Sequence, residues 1–261
     1  MLRTVRATEY VTPLREGGSL PAIVAADDDG TYVLKFRGAG QGAKALIAEL
    51  IAGEIARLIG LRVPEIVFVE LDPRMAKTEP DPEIQELLRK SEGLNLALDY
   101  LPGSITFDPL VPKAAEIASD ARLASSIVWL DALVTNVDRT AKNTNLLVWH
   151  RNLWLIDHGA TLIFHHAWSD YLERSRNAFA AIKQHVLLPW ATAIDEVDEE
   201  LATKVTRAEL ERIVALIPDS WLDPDAPFES AEAHRAAYVE VLTRRLESPR
   251  VWVKEAALAR V

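Results

Sequence analysis

The chain contains no cysteine among its 261 residues, which excludes disulfide stapling, thiolate nucleophiles, zinc–thiolate sites and iron–sulfur clusters. It has no apolar run approaching the ~20 residues that a membrane-spanning helix needs. The opening MLRTVRATEY lacks the apolar stretch of a signal peptide. Basic charge is in the minority: 29 Lys and Arg face 39 Asp and Glu, a formal net charge of −10. That balance argues against broad binding to nucleic acid or to a membrane surface. The six histidines show no zinc-type spacing, and His165-His166 reads as a helix-end pair. What is present, 49% hydrophobic and 26% charged residues, suffices for a sizeable core. The expectation is a cytoplasmic, monomer-sized enzyme or binding protein with no membrane partner and no direct nucleic-acid partner. A phosphorylated ligand stays compatible, because a few lysines or a metal ion reverse the field locally.

The pattern of side chains changes once along the chain. Residues 5–11 alternate apolar and polar, residues 20–25 are an apolar run, and Thr31-Tyr32-Val33-Leu34-Lys35-Phe36 follows the turn signal Asp27-Asp28-Asp29-Gly30. These predict a small antiparallel sheet. Ile47, Ile51, Ile55, Leu58 and Ile59 recur at helical spacing and predict one long helix over 43–59, stopped by Gly60. Residues 66–69 and 94–101 read as further strands. Between them, the charged and proline-containing stretch 72–93 reads as an exposed excursion with a short helix over 82–89. Pro102-Gly103 is where the chain leaves one unit for another.

Beyond residue 102 the character is helical. Residues 121–135 form an apolar, buried helix, and residues 145–149 and 153–156 make a hairpin. A capping box at Thr206-Arg207-Ala208-Glu209 opens a helix, and residues 229–246 form the last amphipathic one. No repeat or low-complexity tract is present. Trp129, Trp149 and Trp154 read as core, and the acidic run 195–200 as a solvated face.

Chemistry concentrates in two loops. Asp138 and Asn143 share the loop after the buried helix, in Asn136-Val137-Asp138-Arg139-Thr140-Ala141-Lys142-Asn143. Asp157 closes the hairpin, in Ile156-Asp157-His158-Gly159. A hairpin brings its two ends together, so Asn143 and Asp157 should converge. Two hard oxygen ligands suit magnesium, which favours one or two carboxylates completed by phosphate and water. Asp138, not needed as a ligand, is free to orient an attacking hydroxyl or accept its proton, the division of labour used in phosphoryl transfer.

Asp138, Asn143 five residues on, and Asp157-x-Gly159 after a short hairpin resemble the catalytic and metal loops of the protein-kinase-like superfamily. The variant Asn136-x-Asp138-Arg139-x-x-x-Asn143 with Ile156-Asp157-His158-Gly159 looks most like the HipA-like kinases of bacteria. The resemblance implies an α+β, two-lobed protein-kinase-like fold. Residues 1–102 would form an N-lobe of small antiparallel sheet with one long helix, and residues 103–261 a helical C-lobe. It implies an ATP- and magnesium-dependent phosphotransferase that acts on a protein or small-molecule hydroxyl. Asp138 would be the catalytic base, with Asn143 and Asp157 as magnesium ligands. Lys35 would hold the α- and β-phosphates, with a carboxylate from the long helix beside it. Glu49, on a face with Ala45, Ala52, Gly53 and Ala56, is preferred over Glu54, which has Arg57 as a local partner. Gly17-Gly18-Ser19 lies where a phosphate-covering loop belongs, although it also reads as a plain hairpin turn. The adenine would meet backbone near Leu98 and Tyr100.

Two departures from the commonest patterns stand out: Thr140 where many relatives carry a histidine that helps organise the catalytic loop, and His158 in the metal loop. Taken singly, Asp138 is a cap or ion-pair residue, Asn143 and Asp157 are turn residues, and Lys35 is a snorkelling strand lysine. Their joint order carries the kinase reading. Two rivals are a dinucleotide-binding turn at Gly38-x-Gly40-x-Gly42 and a nucleotide-binding pseudokinase acting as scaffold or sensor. Residues 72–93 and 166–200 are the stretches left for choosing the acceptor.

Overall fold

Alternating side chains close the first part of the chain into a barrel. The strands are β1 (Thr4–Pro13), β2 (Ala22–Ala26), β3 (Thr31–Lys35), β4 (Ile66–Leu71) and β5 (Gly93–Asp99), hydrogen-bonded in the order β1-β2-β3-β5-β4 and closed by β4 against β1. The computed structural model describes residues 2–14, 20–77 and 79–260. All neighbouring strands are antiparallel except β1 and β4, which run parallel with Val5 opposite Val69. The expected small antiparallel sheet is therefore corrected to a closed barrel with one parallel seam. Two register shifts in the β1–β2 pairing, between Ala7 and Glu9 and between Tyr10 and Thr12, bend β1 far enough to reach both neighbours.

Period-two alternation sorts the residues of β3 and β5. Tyr32, Leu34 and Ala97 join Val5, Val24, Val67 and Val69 in the barrel core. The intervening Val33, Lys35 and Leu98 line a cavity outside it. Lys35 lies on a strand paired on both sides, to β2 and β5, so it is not an edge lysine.

Helix α1 (Ala43–Leu58) runs from the barrel into the rest of the molecule, and its middle is buried on all sides. Gly53 lets α1 pack closely on β4: a Cβ would stand 2.6 Å from the Ile66 Cδ1 methyl, which would have to move aside. Helix α2 (Pro82–Lys90) is capped by Asp81, whose carboxylate accepts the Glu83 N–H. The stretch 72–93 is not an exposed excursion. Ile84, Leu87 and Leu88 of α2 complete the barrel core, because an otherwise open barrel end must be covered by apolar side chains.

The remainder is chiefly helical. A two-residue strand β6 (Ile105–Thr106) joins the hairpin β7 (Leu146–Trp149) and β8 (Asn152–Leu155). Helices α3 (Pro112–Ala118) and α4 (Ala121–Leu133) precede the hairpin. Helices α5 (Tyr171–Arg174), α6 (Ile194–Lys204), α7 (Arg207–Val214), α8 (Ala231–Leu246) and α9 (Val251–Leu258) follow it. Asp120 caps α4 and Thr206 caps α7, the latter at the expected capping box. Acidic α6 is amphipathic: Ile194, Val197 and Leu201 are buried, and Asp198 accepts from the Trp129 indole and from Arg250. Trp129 is core, whereas Trp149 and Trp154 are half-buried and pack edge-to-face on the hairpin. His165 and His166 end a single 3-10 turn, Ile163–His166.

One apolar core runs from α1 through the helices. Trp221 ties it to the barrel, packing edge-on to Phe68 and donating its indole N–H to the Leu94 carbonyl at 3.0 Å. No helix among the described residues is long and apolar enough to cross a membrane.

Candidate active site

The helix–loop–hairpin sequence at the end of α4 aims several polar side chains at the outer face of β3. Lys35, Glu49, Asp138, Asn143 and Asp157 line one cavity of about 360 Å³. A second cavity, of about 370 Å³, shares Lys35, Asn143 and Asp157 and continues toward Val33, Pro64, Leu98, Tyr100, Leu101, Leu147 and Ile156. The two cavities meet at Lys35, Asn143 and Asp157: the first gathers Glu49 and Asp138 beside them, and the second adds a band of aliphatic side chains with Asp99, Ser104 and Asn145. Leu98 and Tyr100 line the second cavity. Gly17, Gly18 and Ser19 lie outside the described residues. The flanking Leu14 and Pro21 border the second cavity and are joined by the Leu14 N–H to the Pro21 carbonyl at 2.7 Å.

Lys35 and Asp157 form an ion pair, Nζ to Oδ1 at 2.8 Å. Burial pushes the Lys35 ammonium down, but Asp157 and Glu49 more than offset this and hold it above its ordinary value. Burial likewise raises the Asp157 carboxyl, and the Lys35 charge and hydrogen bond overcome it and leave it below the usual carboxylate range. Asp157 itself sits at φ 56°, a left-handed backbone that aspartate tolerates better than most residues.

Glu49 does not bond Lys35. It is buried, accepts the His158 backbone N–H at 2.8 Å and lies 3.1 Å from His158 Nδ1. A carboxylate on α1 therefore anchors the loop that carries Asp157, while Lys35 reaches Asp157 directly. Glu54 pairs with Arg57 at 3.3 Å, away from the cleft. His158 thus serves as the point where the loop carrying Asp157 is fastened to α1.

The loop between α4 and β7 is held from beneath. Asp131, on α4, takes the Asn136 amide on Oδ1 at 2.9 Å and Arg139 Nε on Oδ2 at 2.6 Å. Burial raises its carboxyl, but Arg139 and His185 outweigh that and keep it far below the usual range. The Arg139 guanidinium also donates to the carbonyls of Asn145 and Ile156. Asp138 receives the amides of Asn143 at 2.7 Å and Asn145 at 3.2 Å, both on Oδ2. Thr135 and Asn145, at the two ends of the loop, have φ of 55° and 47°. Left-handed backbone at a β-branched threonine is costly and persists only where packing enforces it.

Five residues of the site were not picked out from sequence. Ala39, Gly40 and Gln41 line the first cavity; the sequence signal was the Gly38–Gly42 run, which also fits a dinucleotide turn. That reading fails because β3 lies between two antiparallel neighbours and belongs to no βαβ unit. Asn145 carries no motif of its own. Asp131 did leave a signal, as a lone carboxylate on a helix that reads as buried.

The donors fit a hard divalent cation. Among the described residues no group of three or more His, Cys, Asp or Glu side chains could hold a metal alone. Asn143 and Asp157 both line the cavity and carry hard oxygen donors, the kind that divalent cations take together with phosphate and water.

The family model described as HipA-like kinase matches residues 7–255. Among solved structures, the Helicobacter pylori proinflammatory kinase CtkA superposes with a TM-score of 0.58 at 13% identity, covering 97% of this chain and 95% of that one. That likeness shows a shared kinase fold. A Golgi casein kinase with Mn and ADP bound reaches a TM-score of 0.46 at 12% identity, over 96% of this chain and 74% of its own, too distant to bear on the argument. No curated protein sequence matches the chain.

Proposed function

The chain belongs to the HipA-like kinases, and from that premise we propose that it is an ATP- and magnesium-dependent phosphotransferase with a protein or small-molecule hydroxyl as acceptor. The observation that carries the reading is that Lys35, Asp138, Asn143 and Asp157 line one cavity, and that a second cavity shares Lys35, Asn143 and Asp157 with it. We divide the chain at residue 102, with the barrel and α1 covering the nucleotide and the helical part carrying the catalytic and metal loops. The cytoplasm is the proposed location.

In this reading the second cavity takes the adenine, near Leu98 and Tyr100. The phosphates lie over Lys35, whose ammonium offsets their charge. Gly17, Gly18 and Ser19 retain their proposed role over the phosphates, and Gly40 and Gln41 are added to that wall of the cavity. Asn143 and Asp157 hold magnesium, which when bound neutralises charge on the phosphate oxygens. Glu49 keeps the Asp157 loop in place through His158.

Asp138 meets the acceptor. Both of its amide donors use Oδ2. Oδ1 takes no hydrogen bond from the described residues and is left to accept the acceptor's O–H proton. Catalysis then rests on positioning, which lowers barriers by ~7–11 kcal/mol when geometry is ideal, and on fixed charge aimed at the transferring group.

The test compares wild type with Asp138→Asn in equilibrium ATP binding and in magnesium-dependent ATP turnover or autophosphorylation. The expected result is nucleotide affinity within a few-fold and turnover lower by about 10²–10³-fold. Tight ATP binding with no turnover in either protein would overturn the kinase assignment in favour of a nucleotide-binding scaffold.

A further inference from the structure

The strongest polar network outside the cavity lies beneath the catalytic loop. His185, Asp131 and Arg139 are all buried. They come from three separate stretches: the residue after the 3-10 segment Ala180–Gln184, helix α4, and the loop itself. The His185 imidazole has one donor and one acceptor. Its Nδ1 accepts the Leu187 N–H at 3.0 Å, which leaves the proton on Nε2, 2.8 Å from Asp131 Oδ2. Arg139 Nε donates to the same oxygen. The result is a buried, electrically balanced set: one carboxylate, one guanidinium and a neutral imidazole.

Two routes lead from this set to Asp138. In the first, Asp131 holds the Asn136 amide, and the Asn136 carbonyl oxygen accepts the Asp138 backbone N–H at 3.0 Å. In the second, Arg139 holds the Asn145 carbonyl, and the Asn145 amide reaches Asp138 Oδ2. The backbone follows the same geometry. Thr140 and His185 form an antiparallel bridge, and the Val186 N–H donates to the Arg139 carbonyl at 3.1 Å. The segment around residue 185 therefore grips the loop by main chain and side chain together. Position 140 carries a threonine, and the imidazole at this point of the site arrives instead from 45 residues further along the chain.

We infer that His185 is a positioning residue for phosphoryl transfer, acting through Asp131 and Arg139 to set the orientation of Asp138 without touching nucleotide or acceptor. The inference rests on the reading of Asp138 as the base. Removing the imidazole strips Asp131 Oδ2 of one of its two donors and leaves the Leu187 N–H without its acceptor, so that the backbone bridge at Thr140 is left to tie this segment to the loop. The nucleotide-holding groups on β3 and α1 make no contact with His185 among the described hydrogen bonds and should be unaffected.

The experiment uses the full chain as wild type, His185→Ala, His185→Gln and Asp138→Asn. Three quantities are measured: hydrogen exchange of residues 136–145 in nucleotide-free protein, affinity for ATP with magnesium, and ATP turnover. His185→Ala is expected to lose protection selectively in 136–145 and to lower turnover about 10- to 100-fold, with ATP affinity within about threefold. His185→Gln, whose amide can still donate to Asp131, should regain most of both. Unchanged exchange in 136–145 would overturn the inference whether or not the protein turns over ATP. So would protection lost evenly across the chain with no recovery in the glutamine variant, which marks a purely structural role. Wild-type turnover in Asp138→Asn would sink the base assignment separately, since the exchange data do not depend on it.

Discussion

Lys35 and Asp157 lie 122 residues apart in the sequence and meet across the cleft, Nζ to Oδ1, at 2.8 Å. Each holds the other in its charged form against the penalty of burial. The pair links the barrel strand proposed to hold phosphate to the loop proposed to hold metal.

Both members should therefore be needed for turnover, in different ways. Asp157→Ala is expected to abolish magnesium-dependent ATP turnover at every magnesium concentration. Lys35→Met should lower it about 10²–10³-fold, the usual cost of removing one preorganised charge partner. Steady-state ATP turnover across a magnesium titration checks both, and substantial residual activity in Asp157→Ala would refute its role.

Glu49 and Glu54 separate by their partners. Glu49→Ala leaves the buried His158 N–H without an acceptor, at a cost of about 1–3 kcal/mol, and loosens the Asp157 loop. Glu54→Ala removes a local helix pair with Arg57, worth no more than about 1 kcal/mol. Urea unfolding and ATP turnover should both rank Glu49→Ala as the more damaging change. The reverse ranking would move the cleft role to Glu54.

Acid sensitivity should appear before the carboxylates titrate. Burial drives the His165 pKa down to about 3, and burial also lowers that of His185. The unfolded chain, with histidine near ~6.5, then binds more protons than the folded one between these values, so stability rises with pH across that window. Lowering the pH from 7 to 5.5 is expected to cost about 1 kcal/mol through His165 alone. Urea midpoints measured over this range should fall for wild type and fall less for His165→Gln.

Helix α2 should behave as part of the barrel core. Leu88→Ala, at a fully buried position, is expected to cost about 2–4 kcal/mol. Leu110→Ala, at a position 88% exposed, should change stability by less than about 0.5 kcal/mol. Equal, small effects in thermal unfolding would restore the picture of residues 72–93 as a surface excursion.

Much of this architecture was legible in one dimension. The strand alternation around Val33 and Leu34, the helical spacing of Ile47, Ile51 and Ile55, and the capping box at Thr206 are local, since backbone sterics impose their periods on nearby residues. The spacing of Asp138, Asn143 and Asp157-x-Gly159 was equally local, and it pointed to the family that the chain belongs to. Barrel closure was not legible. Val5 and Val69 pair although they stand 64 positions apart in the sequence, and no short window records which distant strand a given strand will meet.

By itself, then, the sequence determined most of the elements, the family and the side chains proposed to carry its chemistry. Only the tertiary structure decided their partners: Lys35 with Asp157, Glu49 with His158, and His185 with Asp131. The physical reason is that a polar group drawn into the interior must find a partner there. Which groups share that dry space is settled by the packing of the whole core, not by the spacing of residues along the chain.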